Sequence, residues 1–114
     1  MPNRREVGTR KEEEAARFLE ENGYRILVRN YRTKHGEIDL ITEERGVLCF
    51  VEVKYRSTFS AGSPGEGITP QKRARIRSCA RVYLYENGLP EETPCRFDAV
   101  LMAGQDITLL RDAF

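Results

Sequence analysis

The sequence predicts a single α/β domain, spanning residues 1–114, in which a mixed β-sheet carries a helix on each face, a three-layer α/β/α arrangement. Apolar periodicity predicts the element order helix, strand, strand, strand, helix, strand, strand. The two central strands have apolar residues at consecutive positions, so we expect both of their faces to be covered. A chain of 114 residues suffices for one hydrophobic core.

The first helix is predicted to run from Thr9 or Arg10 to about Asn22, where the pair Asn22-Gly23 is a helix-stop signal. Its apolar stripe consists of Ala15, Ala16, Phe18 and Leu19, and helical spacing places Glu12 on the same stripe. A carboxylate on the buried side of a helix needs a partner. The alternative is a first-turn glutamate that the helix dipole favours. A strand over 24–31 and a basic turn over 32–36 follow.

A β-hairpin is predicted next, with strands beginning at Ile38 and Val47, the second ending at Val53, and a turn at Arg45-Gly46. Centring the turn there fixes the register, because turn geometry sets strand pairing. The predicted pairs on one apolar face are Ile38 with Val53, Leu40 with Val51 and Thr42 with Cys49. The predicted pairs on the other face are Ile41 with Phe50, Asp39 with Glu52 and Glu37 with Lys54.

Two carboxylates, Asp39 and Glu52, would then face each other beside apolar neighbours. Like charges directly opposite on antiparallel strands are destabilising, and a cation or a proton relieves them. Hard oxygen ligands suit Mg²⁺ or Mn²⁺, and Lys54 points to the same side of its strand as Glu52. The alternative is a solvated sheet face, but Ile41 and Phe50 on this face favour the rim of a cleft.

The second half of the chain begins with a glycine-rich loop over 57–69. Thr69 and Pro70 then predict a helix start, as N-cap and first helical residue, and the helix is expected to end near Glu86. Its predicted buried stripe consists of Ile76, Cys79, Ala80, Tyr83 and Leu84. Lys72 extends this stripe, where a cation implies an acidic or phosphate neighbour.

An adjacent row on the same helix, Arg73, Arg77 and Arg81, would bind backbone phosphates or form a solvated face. Two strands close the chain, over Arg96–Met102 and Ile107–Leu110. Within the first of them Asp98 lies in apolar company, and Arg96 would pair with it in a structural role.

Composition and charge exclude some classes of protein. The net charge is +1, but seven basic residues against one acid lie between Lys54 and Arg81, which would present a basic side to phosphates. We expect no membrane span and no secretion signal. The cysteines Cys49, Cys79 and Cys95 have scattered spacings that fit small buried side chains in a reducing cytoplasm, rather than disulfides or a zinc site.

Asp39, a dozen further residues and then Glu52-Val53-Lys54 resemble the D…ExK core of the PD-(D/E)xK nucleases. The fuller wording GEIDLI…FVEVKYR, followed by TPQK and CRFDAV, resembles the YraN-like family of small uncharacterised bacterial proteins. Those proteins resemble archaeal Holliday-junction resolvases of the restriction-endonuclease-like superfamily. The resemblance covers nearly the whole chain.

The resemblance implies a restriction-endonuclease-like fold and Mg²⁺- or Mn²⁺-dependent hydrolysis of phosphodiesters in DNA, with branched DNA as one candidate substrate. It implies that Asp39, Glu52 and the Val53 carbonyl hold the metal, and that Glu12 completes the site, often through water. Lys54 would orient the attacking water and Lys72 would steady the scissile phosphate.

We expect Lys72, Arg73, Arg77 and Arg56 to contact nucleic acid, and cutting a symmetric junction would ask for a homodimer. A nucleic-acid-binding or accessory module of DNA processing that does not cut is the alternative. A scaffold that binds another protein is a third reading.

Overall fold

The computed structural model describes residues 4–56 and 68–114. Two helices and five strands follow one another in the predicted order. They are α1 (Arg4–Glu21), β1 (Arg25–Thr33), β2 (Gly36–Glu44), β3 (Val47–Arg56), α2 (Pro70–Glu86), β4 (Cys95–Ala103) and β5 (Asp106–Leu110). The glycine-rich segment predicted over 57–69 falls mostly outside the described residues.

The five strands form one mixed sheet in the order β1-β2-β3-β4-β5. Neighbouring strands are antiparallel, except that β3 and β4 are parallel. The connection from β3 to β4 contains α2, as parallel neighbours require. The predicted mixed sheet is therefore confirmed.

Two hydrophobic clusters flank the sheet. One joins Ala15, Ala16 and Leu19 of α1 to strand residues that include Leu40 and Val51. The other joins α2 to strand residues that include Ile41 and Phe50, through Ile76, Cys79, Ala80, Tyr83 and Leu84. The adjacent residues Leu40 and Ile41 of β2, like Val51 and Phe50 of β3, thus lie in different clusters, as successive side chains of a strand point to opposite faces. The predicted buried stripe of α2 is confirmed in full.

The start of α2 also agrees with its sequence signals. Thr69 is extended, and its hydroxyl accepts a hydrogen bond of 3.1 Å from the backbone N–H of Lys72. Pro70 lacks an N–H and occupies the first helical position, where no such group is needed. Asn87 caps the other end. These signals act within one turn of the chain, which is why the sequence predicts the start of this helix correctly.

Several elements are longer than the sequence predicts. Helix α1 begins at Arg4 rather than at Thr9 or Arg10, and β1 and β3 continue to Thr33 and Arg56. Apolar periodicity marks only the buried part of an element, whereas backbone hydrogen bonds extend it through exposed residues. One burial prediction is also wrong, because Cys95 at the start of β4 is exposed while Cys49 and Cys79 are buried.

The hairpin register is confirmed only near its turn. Residues 40–44 of β2 pair with 47–51 of β3 as predicted, and the pairing ends at Leu40 and Val51. The predicted pairs Ile38–Val53, Asp39–Glu52 and Glu37–Lys54 are wrong. Ile38 packs in the cluster with α2 instead of beside Leu40. A left-handed residue in the neighbouring strand, Asn30 with φ of 52°, shows that regular alternation is interrupted in this part of the sheet.

Candidate active site

The two predicted acids meet at a fork where β2 leaves β3. A side-chain oxygen of Asp39 accepts a hydrogen bond of 2.8 Å from the backbone N–H of Val53. This bond replaces the backbone pairing that the register predicted, and it brings the Asp39 carboxylate next to Glu52 on β3. The fork opens into a cleft of about 440 Å³ against the start of α2, lined by Gly36, Glu37, Asp39, Glu52, Thr69, Lys72, Arg75 and Ile76.

Glu52 is buried and paired. Only 4% of the residue is exposed, and the Lys72 ammonium on the first turn of α2 forms an ion pair with its carboxylate. Lys72 itself is half-exposed at the mouth of the cleft. The sequence prediction that Lys72 has an acidic neighbour is confirmed. A buried carboxylate requires such a partner, because desolvation penalises its charged form.

The negatively charged form of Asp39 is disfavoured in the folded protein. Burial is the main cause that raises the pKa of its carboxyl from 3.8 to about 7, and the negative charge of Glu52 adds to it. The hydrogen bond from Val53 and the charge of Lys72 act in the opposite direction but are outweighed. A proton or another cation is therefore favoured beside Asp39 at neutral pH.

Glu12 on α1 lies within electrostatic reach of the same acids. Burial raises the pKa of Glu12, a hydrogen bond with the Asn30 side chain lowers it, and the charges of Glu37 and Glu52 raise it further. Glu12 in turn raises the pKa of Asp39. Three acids from three elements thus influence one another, and Glu12 has in Asn30 a polar partner of the kind that its place on the helix stripe required.

The carboxylates of the cleft suit a hard divalent cation only if other ligands complete its coordination. Within residues 4–56 and 68–114, no three Asp, Glu, His or Cys side chains converge to hold a metal ion together. Mg²⁺ is commonly held by one or two carboxylates, with water and substrate phosphate as its other ligands. Asp39 and Glu52 fit that mode, because the burial and the Glu52 charge that raise the pKa of Asp39 would also favour a cation beside its carboxylate.

The remaining predicted site residues of β3 have different positions. Lys54 is half-buried and lies two residues beyond Glu52 in a strand whose pairing with β4 is regular, so it points to the same side as Glu52. Val53 packs its side chain against the α1 cluster and gives its N–H to Asp39. The side chain of Arg56 lies outside the described part of the molecule.

The predicted arginine row of α2 does not line the cleft. Arg73 donates a hydrogen bond of 3.1 Å to the Ile68 carbonyl, and the Arg77 guanidinium lies 5.0 Å from the centre of the Phe97 ring. Arg75 lines the cleft instead, and sequence reasoning missed it. The available signal was its spacing, because Arg75 follows Lys72 by three and shares its helix face.

A second group of charges, at the opposite end of β2, is fully compensated. Glu44 accepts hydrogen bonds from Arg111 and Arg96, and these lower the pKa of its carboxyl to about 2. Arg96 also binds both oxygens of the buried Asp98, which confirms the pairing that the sequence predicted. Burial opposes ionisation of Asp98, but its bonds from Arg96, Tyr24 and the Asp112 backbone outweigh it and lower its pKa. This contrast sets the acids of the cleft apart.

Neither described helix has the length and apolar character that crossing a lipid bilayer would demand.

Comparison with known proteins identifies relatives over almost the entire chain. Residues 11–102 match the model of the uncharacterised protein family UPF0102. A UPF0102 protein of Lachnoclostridium phytofermentans is 53% identical over 98% of this chain and 95% of its own length. Others come from Chlorobium phaeobacteroides, at 46% identity over 90% of this chain and 81% of that protein, and from Klebsiella pneumoniae, at 40% over 96% and 87%. The chain therefore belongs to the UPF0102 family, the YraN-like family.

Proposed function

We propose that this protein is a metal-dependent phosphodiester hydrolase that acts on DNA, built on the three-layer restriction-endonuclease-like fold. The observation that carries the proposal is the pair of carboxylates, buried Glu52 and partly buried Asp39, at the fork of β2 and β3 with Lys72 beside them. An acid with a raised pKa that lines a cleft, beside a second carboxylate and a lysine, is typical of functional sites.

Asp39 and Glu52 would hold Mg²⁺ or Mn²⁺, with the Val53 carbonyl and, through water, Glu12 as further oxygen ligands. When bound, the ion supplies Lewis-acid stabilisation of the phosphate and a lower pKa for attacking water. The protein's own groups then have separate tasks. Lys54 orients that water and offsets negative charge, and the Lys72 ammonium passes from Glu52 to the scissile phosphate.

DNA as the substrate, its branched form, and a homodimer rest on the similarity to junction resolvases, which is an analogy of fold. The basic residues of α2 support a polyanionic partner in general terms. Arg73 and Arg77, though held by neighbours, leave their charges on the helix, and together with Arg56 they remain our proposed secondary contacts to nucleic acid.

The test is cleavage of four-way junction, flap and linear DNA in Mg²⁺, in Mn²⁺ and in EDTA. We expect cleavage in either metal and none in EDTA. Asp39→Asn should lose at least 100-fold, on the order of magnitude seen when a group that stabilises the transition state is removed. Glu43→Gln is the matched control, because Glu43 is an acid of the same strand that pairs with Arg25 away from the cleft. Equal activity of the wild type and Asp39→Asn would exclude this site.

A DNA-binding or accessory module that does not cut is the second candidate, and one observation favours it. Lys72 neutralises Glu52 from within the chain, so the carboxylate is stabilised without any ion. Binding of DNA without cleavage in both metals would support this candidate. Binding to no nucleic acid at all would leave a protein-binding scaffold.

A further inference from the structure

Arg75 is a guanidinium that lines the cleft without a partner among the described residues. It is exposed, it lines the cleft with Asp39, Glu52 and Lys72, and within the described residues it forms no hydrogen bond, ion pair or ring contact. Its neighbours on α2 differ in this respect. Arg73 donates to a backbone carbonyl and Arg77 lies over the Phe97 ring.

The aliphatic stem of Arg75 lies close to the start of β2. Gly36 has φ of +145°, and a Cβ built there would lie 3.5 Å from the Cβ of Arg75 and 4.0 Å from its Cδ. The backbone of β2 therefore lies close to the stem, three residues before Asp39. This proximity places Arg75 at the rim of the cleft that Asp39 also lines, where its guanidinium can reach a bound anion.

The charges of the cleft leave Arg75 available for an anion. Lys72 is engaged by Glu52, and a cation held by Asp39 and Glu52 would occupy the acids. The flat fork of N–H donors in a guanidinium matches the oxygens of a phosphate in a bidentate manner. A polynucleotide that places one phosphate at the acids presents a neighbouring phosphate along the same strand.

We propose that Arg75 binds the phosphate next to the scissile one, so that the substrate is a strand with phosphates on both sides of the cut and not a mononucleotide or a terminal phosphate. This inference rests on the proposed function for the identity of the polyanion. Its geometry rests on the position of Arg75 alone. Arg75 acts here as a binding residue, and Lys72 keeps its role at the scissile phosphate.

The test is fluorescence anisotropy with labelled linear and junction DNA, in EDTA and again in Ca²⁺, over a series of salt concentrations. Arg75→Ala should raise Kd about tenfold, which is typical of losing a hydrogen-bonded charge contact. It should also reduce the slope of log Kd against log salt by about one phosphate contact. Arg75→Lys should lie between, because it keeps the charge and loses the fork.

Arg81→Ala is the matched control, since Arg81 is an exposed arginine of the same helix that lines a different pocket, beside Leu84 and Phe97. We expect its Kd to stay within about twofold of the wild type. Gly36→Ala gives a second route, because a strained φ there should displace the Arg75 stem and weaken binding while Arg75 is retained.

Equal losses for Arg75→Ala and Arg81→Ala would overturn the inference, as would an unchanged Kd and salt slope for Arg75→Ala. Absence of any DNA binding by the wild type would overturn it too. Cleavage and binding separate the two proposals. A protein that binds through Arg75 but does not cut would refute only the hydrolase, and Asp39-dependent cutting that is indifferent to Arg75 would refute only this inference.

Discussion

Replacing Asp39 by Asn should stabilise the protein, which is unusual for a change at a partly buried polar residue. The amide has nearly the shape of the carboxylate, and its oxygen can still accept the N–H of Val53, 2.8 Å away in the wild type. What disappears is a negative charge that burial and Glu52 both disfavour. A site arranged for function commonly stores strain of this kind, and its removal increases stability at the expense of activity.

The magnitude follows from the pKa. A rise from 3.8 to about 7 is a pKa difference of about three, and each unit corresponds to about 1.4 kcal/mol. The ionised form of Asp39 would therefore cost the folded state about 4 kcal/mol at pH above 7. Water in the open cleft relieves part of this cost, so we expect about 2–3 kcal/mol to be measured.

The pH dependence of this stability difference follows from the linkage between proton binding and folding. Because the pKa of Asp39 is higher in the folded state, its contribution to stability is fully present below about pH 4 and is lost as pH rises through about 7. Urea unfolding followed by circular dichroism in EDTA, from pH 4 to pH 8, measures this. Asp39→Asn should not lose stability in this way. The difference in free energy of unfolding between the variant and the wild type should therefore grow with pH and level off above pH 7.

Asp98→Asn is the matched control, because Asp98 is an aspartate of the same sheet that is fully buried, but its bonds from Arg96 and Tyr24 lower its pKa. It should destabilise the protein by about 2–3 kcal/mol at pH 7, the opposite sign. Our reasoning about the cleft is refuted if Asp39→Asn is no more stable than the wild type at pH 8, or if the difference does not change between pH 4 and 8.

Of three further predictions, two concern the cleft and one concerns the compensated charges around Glu44. Lys72→Met should lower the free energy of unfolding at pH 7 by about 1–2 kcal/mol, since it leaves Glu52 buried without its ion pair, and should move the Asp39 transition to higher pH; an unchanged pH profile contradicts this. Mg²⁺ at about a hundred times its Kd should add about 2.7 kcal/mol of stability to the wild type, and far less to Asp39→Asn; equal gains in urea unfolding point to binding elsewhere. Glu44→Gln should lower the free energy of unfolding by about 1–2 kcal/mol above pH 4.5. This loss should vanish as pH falls toward 2, because the pKa of Glu44 is lowered to about 2. Acid unfolding curves that differ by the same amount at every pH would contradict this prediction.

The sequence predicted those features that short-range rules determine. The start of α2 depends on Thr69 and Pro70 within a single turn, and the buried stripe that includes Ile76 and Tyr83 depends on helical period. The order of elements follows from the same local patterns. The hairpin register near Gly46 was correct because turn geometry controls pairing over the nearest residues.

The sequence did not predict what long-range contacts decide. Extrapolating the register from the turn put Asp39 opposite Glu52 across the strands, whereas the strands separate there and Asp39 bonds to the backbone of Val53. Asp39 and Glu52 come together nonetheless, because the Asp39 side chain reaches across the fork to the backbone of Val53, next to Glu52. The role of Arg75 depends on Gly36, which is remote in the chain, and could be read only once β2 and α2 were placed against each other.

A crystal of the wild-type protein soaked in Mn²⁺ and examined by anomalous scattering would show directly whether Asp39 and Glu52 hold a metal ion. We expect an ion in contact with oxygens of both Asp39 and Glu52, and the Lys72 ammonium withdrawn from Glu52. A fork without an ion at saturating Mn²⁺, with Lys72 still bound to Glu52, would contradict the claim that these acids form a metal-dependent hydrolytic site.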